Sequence, residues 1–373
     1  MARITGLSGN EILLMDAKGY DAGDIVIGNC VNSMGFLRSL GSGLSNLAGG
    51  EVAQVTQQIH DARQTAFARM VAEAKKHGAS GVAGVASSLM HQGAHTEFLF
   101  TGSCVHEKEK SAEKTAAAFF TSAGNAQELY CHMDAGYQPL QHVFGNIAYS
   151  LGIGGGLLGG LKTLARGEIR EFSNVFNTTR HKALNRLVSE AKREKANAVV
   201  GIRTQVMWWH STHEMTMTGT AAFNPALPAD SGLVTSDLTG EELWTMTKLG
   251  YAPMRLVLST SVYSLGLIGG LKSFLRSFTQ GEIPELSQLV LHAREVAISR
   301  LKGEADAIGA ATVAGTKLFI HHLGSGLIEF LAIGTALRKV AGVGVQTPAL
   351  PAQAILHDKD TWIDGGSHTL ERE

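Results

Sequence analysis

The sequence predicts an α+β protein in which one unit is written three times. Three observations carry that expectation: landmarks recurring at fixed spacing, one long amphipathic helix per repeat, and a pair of alternating β-type runs after each helix. Arg63, Arg180 and Arg294 anchor the repeat. A Gly-Tyr pair (Gly19-Tyr20, Gly136-Tyr137, Gly250-Tyr251) precedes each arginine, with 43 positions from tyrosine to arginine every time. Glu51, Glu168 and Glu282 each follow a glycine and stand 12 positions before the arginine. Glu73, Glu190 and Glu304 stand 10 positions after it, and Gly84, Gly201 and Gly315 stand 21 after it. Shared spacings of this kind mark internal repetition.

The elements follow one order in each repeat. A short extended stretch ends in the Gly-Tyr turn, and a β-type run follows, DIVIGNCV in the first copy and LVLSTSVY in the third. A glycine-rich apolar segment comes next, with Gly154, Gly155 and Gly156 in the second copy and Gly269 and Gly270 in the third. The long helix of the first copy is expected over Val52 to His77. Its residues Ile59, Ala62, Ala66, Phe67, Met70, Val71 and Ala74 recur at three and four positions, which is one helical face. Gly78 and Gly309 stand where a helix-terminating glycine belongs, and the second copy has Lys195 there. Two strands close the unit, GVAGVASSLM and TEFLFTGSCV in the first copy. The expected units are 1–107, 120–224 and 235–340, with a flexible tail over 341–373. Between them, NPALPADSGLVTSD (224–237) reads as a linker.

Composition narrows the function classes. Apolar residues make up 44% of the 373 residues and charged residues 17%, enough to fill cores. Lysine plus arginine, at 32, balances aspartate plus glutamate, at 33, so no basic footprint for nucleic acid or an anionic membrane exists. Cys30, Cys104 and Cys131 form no CxxC pair and fit a reducing compartment, and the N-terminus carries no signal-peptide pattern. These point to the cytoplasm. His142 to Leu161 carries no Asp, Glu, Lys or Arg and is long enough for a membrane span, but seven of its residues are glycine. A buried or interface segment is the expectation there, with a membrane-associated ring as the rival.

Each unit resembles the YbjQ-like family of small prokaryotic proteins, grouped under a heavy-metal-binding label. The matching residues are the I-x-G or L-x-S strand before the glycine stretch, the Gly-Glu entry to the long helix, the mid-helix arginine, A-x-x-V-x-G at a strand start, and the final T-G-[ST] strand (Thr101-Gly102-Ser103, Thr218-Gly219-Thr220). The resemblance implies dodecin-like subunits, a long helix on a small mainly antiparallel sheet, assembling as pentameric rings. With three units per chain, five chains would close as stacked rings, each chain running along the stack, since closed symmetry is the usual outcome for homo-oligomers. Gly154, Gly155, Gly156, Gly269 and Gly270 would let a neighbouring backbone approach closely at such contacts.

Six of the 15 histidines sit at the turns between the last two strands: His91 and His95, His210 and His213, His321 and His322. Neutral imidazole is a common metal ligand, so a transition metal is the candidate cofactor, with Glu97, Glu214 or Glu329 adding an oxygen. Solvated or interface histidines are the competing reading. Arg63, Arg180 and Arg294 lie among apolar neighbours and need partners, because an unpaired buried charge is costly. Glu51, Glu168 and Glu282 or a neighbouring subunit are the expected partners, and anion binding at the ring is the alternative. No G-x-S-x-G, H-E-x-x-H or G-x-x-x-x-G-K-[ST] pattern is present, and a non-enzymatic homo-oligomeric scaffold or binding protein is the leading expectation.

Overall fold

The computed structural model describes residues 2–33, 50–92, 95–108, 118–150, 167–209, 212–264, 284–324 and 327–351. Gly154, Gly155, Gly156, Gly269, Gly270 and His210 lie outside them. The first unit consists of α1 (Gly9–Ala17), β1 (Tyr20–Ser33), β2 (Gly50–Glu51), α2 (Ala53–Lys76), β3 (Gly81–Gln92) and β4 (His95–Glu107). The second has β5 (Phe120–Thr121), α3 (Ala126–Asp134), β6 (Gln138–Ser150), β7 (Gly167–Glu168), α4 (Arg170–Arg193), β8 (Ala198–Trp209) and β9 (Thr212–Phe223). The third has β10 (Val234–Thr235), α5 (Gly240–Lys248), β11 (Tyr251–Ser264), α6 (Pro284–Ala307), β12 (Thr312–Gly324) and β13 (Leu327–Lys339).

Every unit thus pairs a 24-residue helix with three long antiparallel strands. In each sheet the last strand lies in the middle, flanked by the first and second long strands. The predicted helical face is the buried one: Ile59, Ala62, Ala66, Phe67, Met70 and Ala74 are all buried. Burying one such Ile, Phe or Met side chain contributes about 1.5–3 kcal/mol. Helix and sheet come unusually close at Gly28 and Gly145, where a Cβ would collide with the helix backbone at Ala66–Met70 and Ala183–Leu187. The third unit has Ser259 at this place, and its Oγ donates to the Ala297 carbonyl at 2.5 Å. The repeated Gly84, Gly201 and Gly315 mark register shifts in the second long strand, with φ of +65°, +62° and +63° that only glycine adopts freely.

Units are joined by exchanged strands. The lead strands β5 and β10 pair parallel with β3 and β8 of the preceding unit. Conversely, β2 and β7 pair antiparallel with β6 and β11 of the following unit. Each long helix is then covered on its second side by the next sheet: α2 packs on β1, β4 and β6, and α4 on β6, β9 and β11. One core holds Phe172, Phe176 and Leu187 of α4 together with Leu256, Leu258 and Val262 of β11. Another holds the α2 face together with Phe144 and Ala148 of β6. Within the chain these contacts lay each long helix on the next unit's sheet. Consecutive units stand side by side, because the free face of each sheet is apolar and the preceding helix buries it.

Three further expectations change. The stretches before the Gly-Tyr turns are helices, not extended segments: α1, α3 and α5 start with capping boxes formed by Ser8 with Glu11, Asn125 with Glu128 and Thr239 with Glu242. The 224–237 stretch is not a free linker, since Val234 and Thr235 pair with Ala198 and Val199. Nor does the chain run loose just after residue 340. Val343, Val345 and Leu350 pack against the core around the lead helices, and Lys248 donates to the Pro348 carbonyl at 2.7 Å. The buried carboxylate of Asp134 ties this region together, accepting from Lys18 Nζ (2.7 Å), Trp244 Nε1 (2.7 Å) and Thr347 Oγ1 (2.8 Å).

Candidate functional site

The repeated arginines and glutamates meet across the unit boundaries. Arg63 enters from the middle of α2 and forms a buried, bidentate ion pair with Glu214 on β9, its Nη2 3.1 Å from Oε2. Thr216 Oγ1 accepts from Arg63 Nη1 at 3.0 Å, and Asn146 Nδ2 donates to Glu214 Oε1 at 3.2 Å. One turn of the repeat later, Arg180 on α4 clamps Glu329 on β13, with Nη2 to Oε2 at 2.5 Å and Nε to Oε1 at 3.1 Å. Thr260 Oγ1 donates to Glu329 at 2.8 Å, and Arg180 Nη2 donates to the Tyr149 hydroxyl at 2.9 Å. Arg180 and Glu329 expose none of their side chains, and Arg63 only 4%.

Burial alone would push the Glu329 carboxyl up, yet the Arg180 charge and hydrogen bonds from His321 and Arg180 hold it down at about 2. His213 stacks on Tyr149 with ring centroids 5.2 Å apart, and burial followed by the Arg180 charge pushes it down to about 4. It stays a neutral packing ring near neutral pH. A fully desolvated, bidentate pair of this kind fixes register more than it adds net stability, because dehydrating two charges offsets much of their attraction. The chemistry of these centres is therefore recognition of one unit by the next.

A second ring of polar contacts flanks each pair. Glu51 takes Lys182 and Arg186 of the next helix, and Glu168 takes Arg300 at 2.6 Å. These were the carboxylates expected to partner Arg63 and Arg180; the structure corrects that, because they sit on β2 and β7, strands already laid on the following sheet. Alongside α2 and α4 opens a polar cleft of about 560 Å³, lined by His60, Gln64, Arg186, Glu190 and Arg193 among others.

Among the described residues the hairpin histidines take different surroundings. The side chain of His91 and all of His210 lie outside the described residues, His95 and His322 are exposed, His213 is buried on Tyr149, and His321 Nδ1 lies 3.0 Å from Glu329. Glu214 and Glu329, expected to add an oxygen to a metal, are committed to Arg63 and Arg180. Among the described residues no group of three or more His, Cys, Asp or Glu side chains is placed to hold a metal ion. Burial pushes the Cys104 thiol up to about 11 and the Cys131 thiol up to about 12, far from the thiolate a metal needs. Arg294 is half-buried on α6, at the end of the row. Of the membrane-length stretch, His142 to Ser150 belongs to β6, and no described helix is long and apolar enough to cross a membrane. Asn146, Tyr149 and Thr260 complete the junctions and were not anticipated; the equivalent places of Asn146 and Thr260, each 34 positions before its repeated arginine, were the available signal.

A family model described as "Putative heavy-metal-binding" matches residues 15–108, 135–224 and 250–339. Encapsulin nanocompartment protein Rv1762c of Mycobacterium tuberculosis is 28% identical over 255 residues, 65% of this chain and 93% of that protein. A UPF0145 protein of Archaeoglobus fulgidus is 43% identical over 61 residues, 16% of this chain and 56% of its own length. Another, from Pseudothermotoga lettingae, is 38% identical over 88 residues, 23% of this chain and 81% of its own length. No solved structure matches the chain.

Proposed function

From the premise that this chain belongs to the YbjQ family, whose model it matches three times, we propose that it is a non-enzymatic, cytoplasmic scaffold or binding protein that works as a homo-oligomer. The observation that carries this reading is the junction itself. Arg63–Glu214 and Arg180–Glu329 repeat one helix-on-sheet contact twice within a chain, and a heterologous contact of that kind is what builds rings and longer arrays. The match to a protein named for an encapsulin nanocompartment supports assembly as the activity. Five chains is the stoichiometry the family resemblance suggests.

Native mass spectrometry of untagged protein, purified without added metal, tests the reading. The expected result is a species at a multiple of the 39.5 kDa chain mass; a monomer at micromolar concentration would remove the scaffold reading. The family's description motivates a second reading, transition-metal binding at the hairpin histidines. Metal analysis of the same sample decides it, because stoichiometric metal lost in a His321→Ala, His322→Ala variant would establish it and metal-free protein would dismiss it.

A further inference from the structure

We infer that copies of this chain join head to tail, the outer face of α6 in one copy seating on the outer face of β1 and β4 in the next, with Arg294 opposite Glu97. This rests on the scaffold reading and names its partner and its surfaces. The argument comes from three positions that the repeat makes equivalent. On the first strand of each sheet, His142, Phe144 and Ala148 of β6 and Leu256, Leu258 and Val262 of β11 are all buried beneath the preceding helix. The same places on β1 hold Ile25, Ile27 and Val31, which are 43%, 51% and 56% exposed. No described residue of the chain covers them as α2 covers β6 and α4 covers β11.

The opposite end carries the complement. Phe67 of α2 and Leu184 of α4 are buried against the next sheet, whereas the equivalent Ile298 of α6 is 44% exposed and Leu291, one turn before Arg294, is 55% exposed. Arg294 stands at the place of Arg63 and Arg180, whose side chains are 4% and 0% exposed in their pairs. Its matching acceptor exists on the first unit. Glu97 of β4 occupies the place of Glu214 and Glu329, and Asn29 Nδ2 already donates to it at 2.9 Å, as Asn146 does to Glu214 and Thr260 to Glu329. Beside it, β1 forms the edge of its sheet among the described residues, where β6 and β11 each carry a strand of the preceding unit. An apolar face with a preset carboxylate and an apolar face with an arginine, both present in one molecule and joined twice already inside it, are self-complementary. Association buries apolar area and desolvates one ion pair per contact. A ring closed in this way contains whole chains, so its number of units is a multiple of three.

Charge exchange tests the inference on the full-length chain. Arg294→Glu and Glu97→Arg each place like charges at the contact, and each is expected to raise the apparent dissociation concentration at least about tenfold. Mixing the two variants restores pairwise association, because every contact between unlike variants carries either the native pair or the swapped pair. Circular dichroism confirms that each variant is folded. As a second probe, Ile27→Cys combined with Leu291→Cys occupies the places of Phe144 and His60, whose rings lie 5.1 Å apart. Oxidation is expected to give a covalent ladder that neither single variant gives. Variants that assemble like the parent chain, or a mixture that stays dissociated, would overturn the contact while leaving the scaffold reading standing. A parent chain that is monomeric would overturn both.

Discussion

Arg180 of the second unit and Glu329 of the third, 149 residues apart in sequence, form a fully buried pair with Nη2 2.5 Å from Oε2. Removing one partner strands the other charge in an apolar site. Arg180→Ala or Glu329→Gln is expected to cost about 3–5 kcal/mol of stability, and Arg180→Met with Glu329→Leu to recover most of it. Urea unfolding of the three variants measures this, and additive losses in the double variant would contradict the pairing.

Burial pushes His142 down to about 3, and Arg203 adds to the shift. With a folded value below the unfolded value of about 6.5, the unfolded chain takes up the proton first as pH falls. The contribution is complete above about pH 6.5 and is lost between there and about pH 3, about 2 kcal/mol of it by pH 5. The third unit has Leu256 at this place, buried in the same way. His142→Leu is therefore expected to flatten the pH dependence of stability between pH 7 and 5, read from melting temperatures; an unchanged slope would clear His142 of the effect.

Lys195 holds φ at +59° just past α4, where Gly78 and Gly309 hold +66° and +70° in the sister units. A residue with a Cβ pays about 1–2 kcal/mol for the left-handed region, and glycine pays less there but loses more chain entropy. Lys195→Gly should stabilise the chain by about 0.5–1 kcal/mol in urea titrations. Destabilisation would mean that the lysine side chain contributes more than its backbone costs.

Gln64 donates to Glu190 at 2.8 Å, and His181 lies 3.8 Å from Glu304. The equivalent residue on α6 is the exposed Glu295, which in the head-to-tail contact meets the acidic Glu73 of the next copy. Glu295→Gln is expected to tighten association about twofold to fivefold by removing a like-charge pair. Analytical ultracentrifugation reads the change, and weaker association would mean that Glu295 has a cationic partner instead.

The fold was legible because its signals are local and repeated. Ile59 through Ala74 announce a helix face by period, and Gly84, Gly201 and Gly315 recur where three strands bulge. The lead helices escaped notice because each has only nine residues, though Ser8 with Glu11, Asn125 with Glu128 and Thr239 with Glu242 spell out their capping boxes. The site was legible only in half. That Arg63 needed a partner followed from its apolar surroundings, but nothing along the chain points 151 residues ahead to Glu214. Clustered histidines suggested a metal because hairpins bring neighbours together. His213 instead turns onto Tyr149, and His321 turns to Glu329.

Asp134, in the second unit, accepts hydrogen bonds from Lys18, Trp244 and Thr347, residues drawn from the first and third units and from the segment that follows them. During synthesis the first two units can pack as they emerge, since domains fold in the order they leave the ribosome. The carboxylate, wholly sequestered from water, stays short of donors until residue 347 arrives. The molecule thereby carries its own completion check: a nascent chain stalled within the third unit lacks the Thr347 contact that joins the last segment to the lead helices, which leaves that intermediate looser than the finished protein.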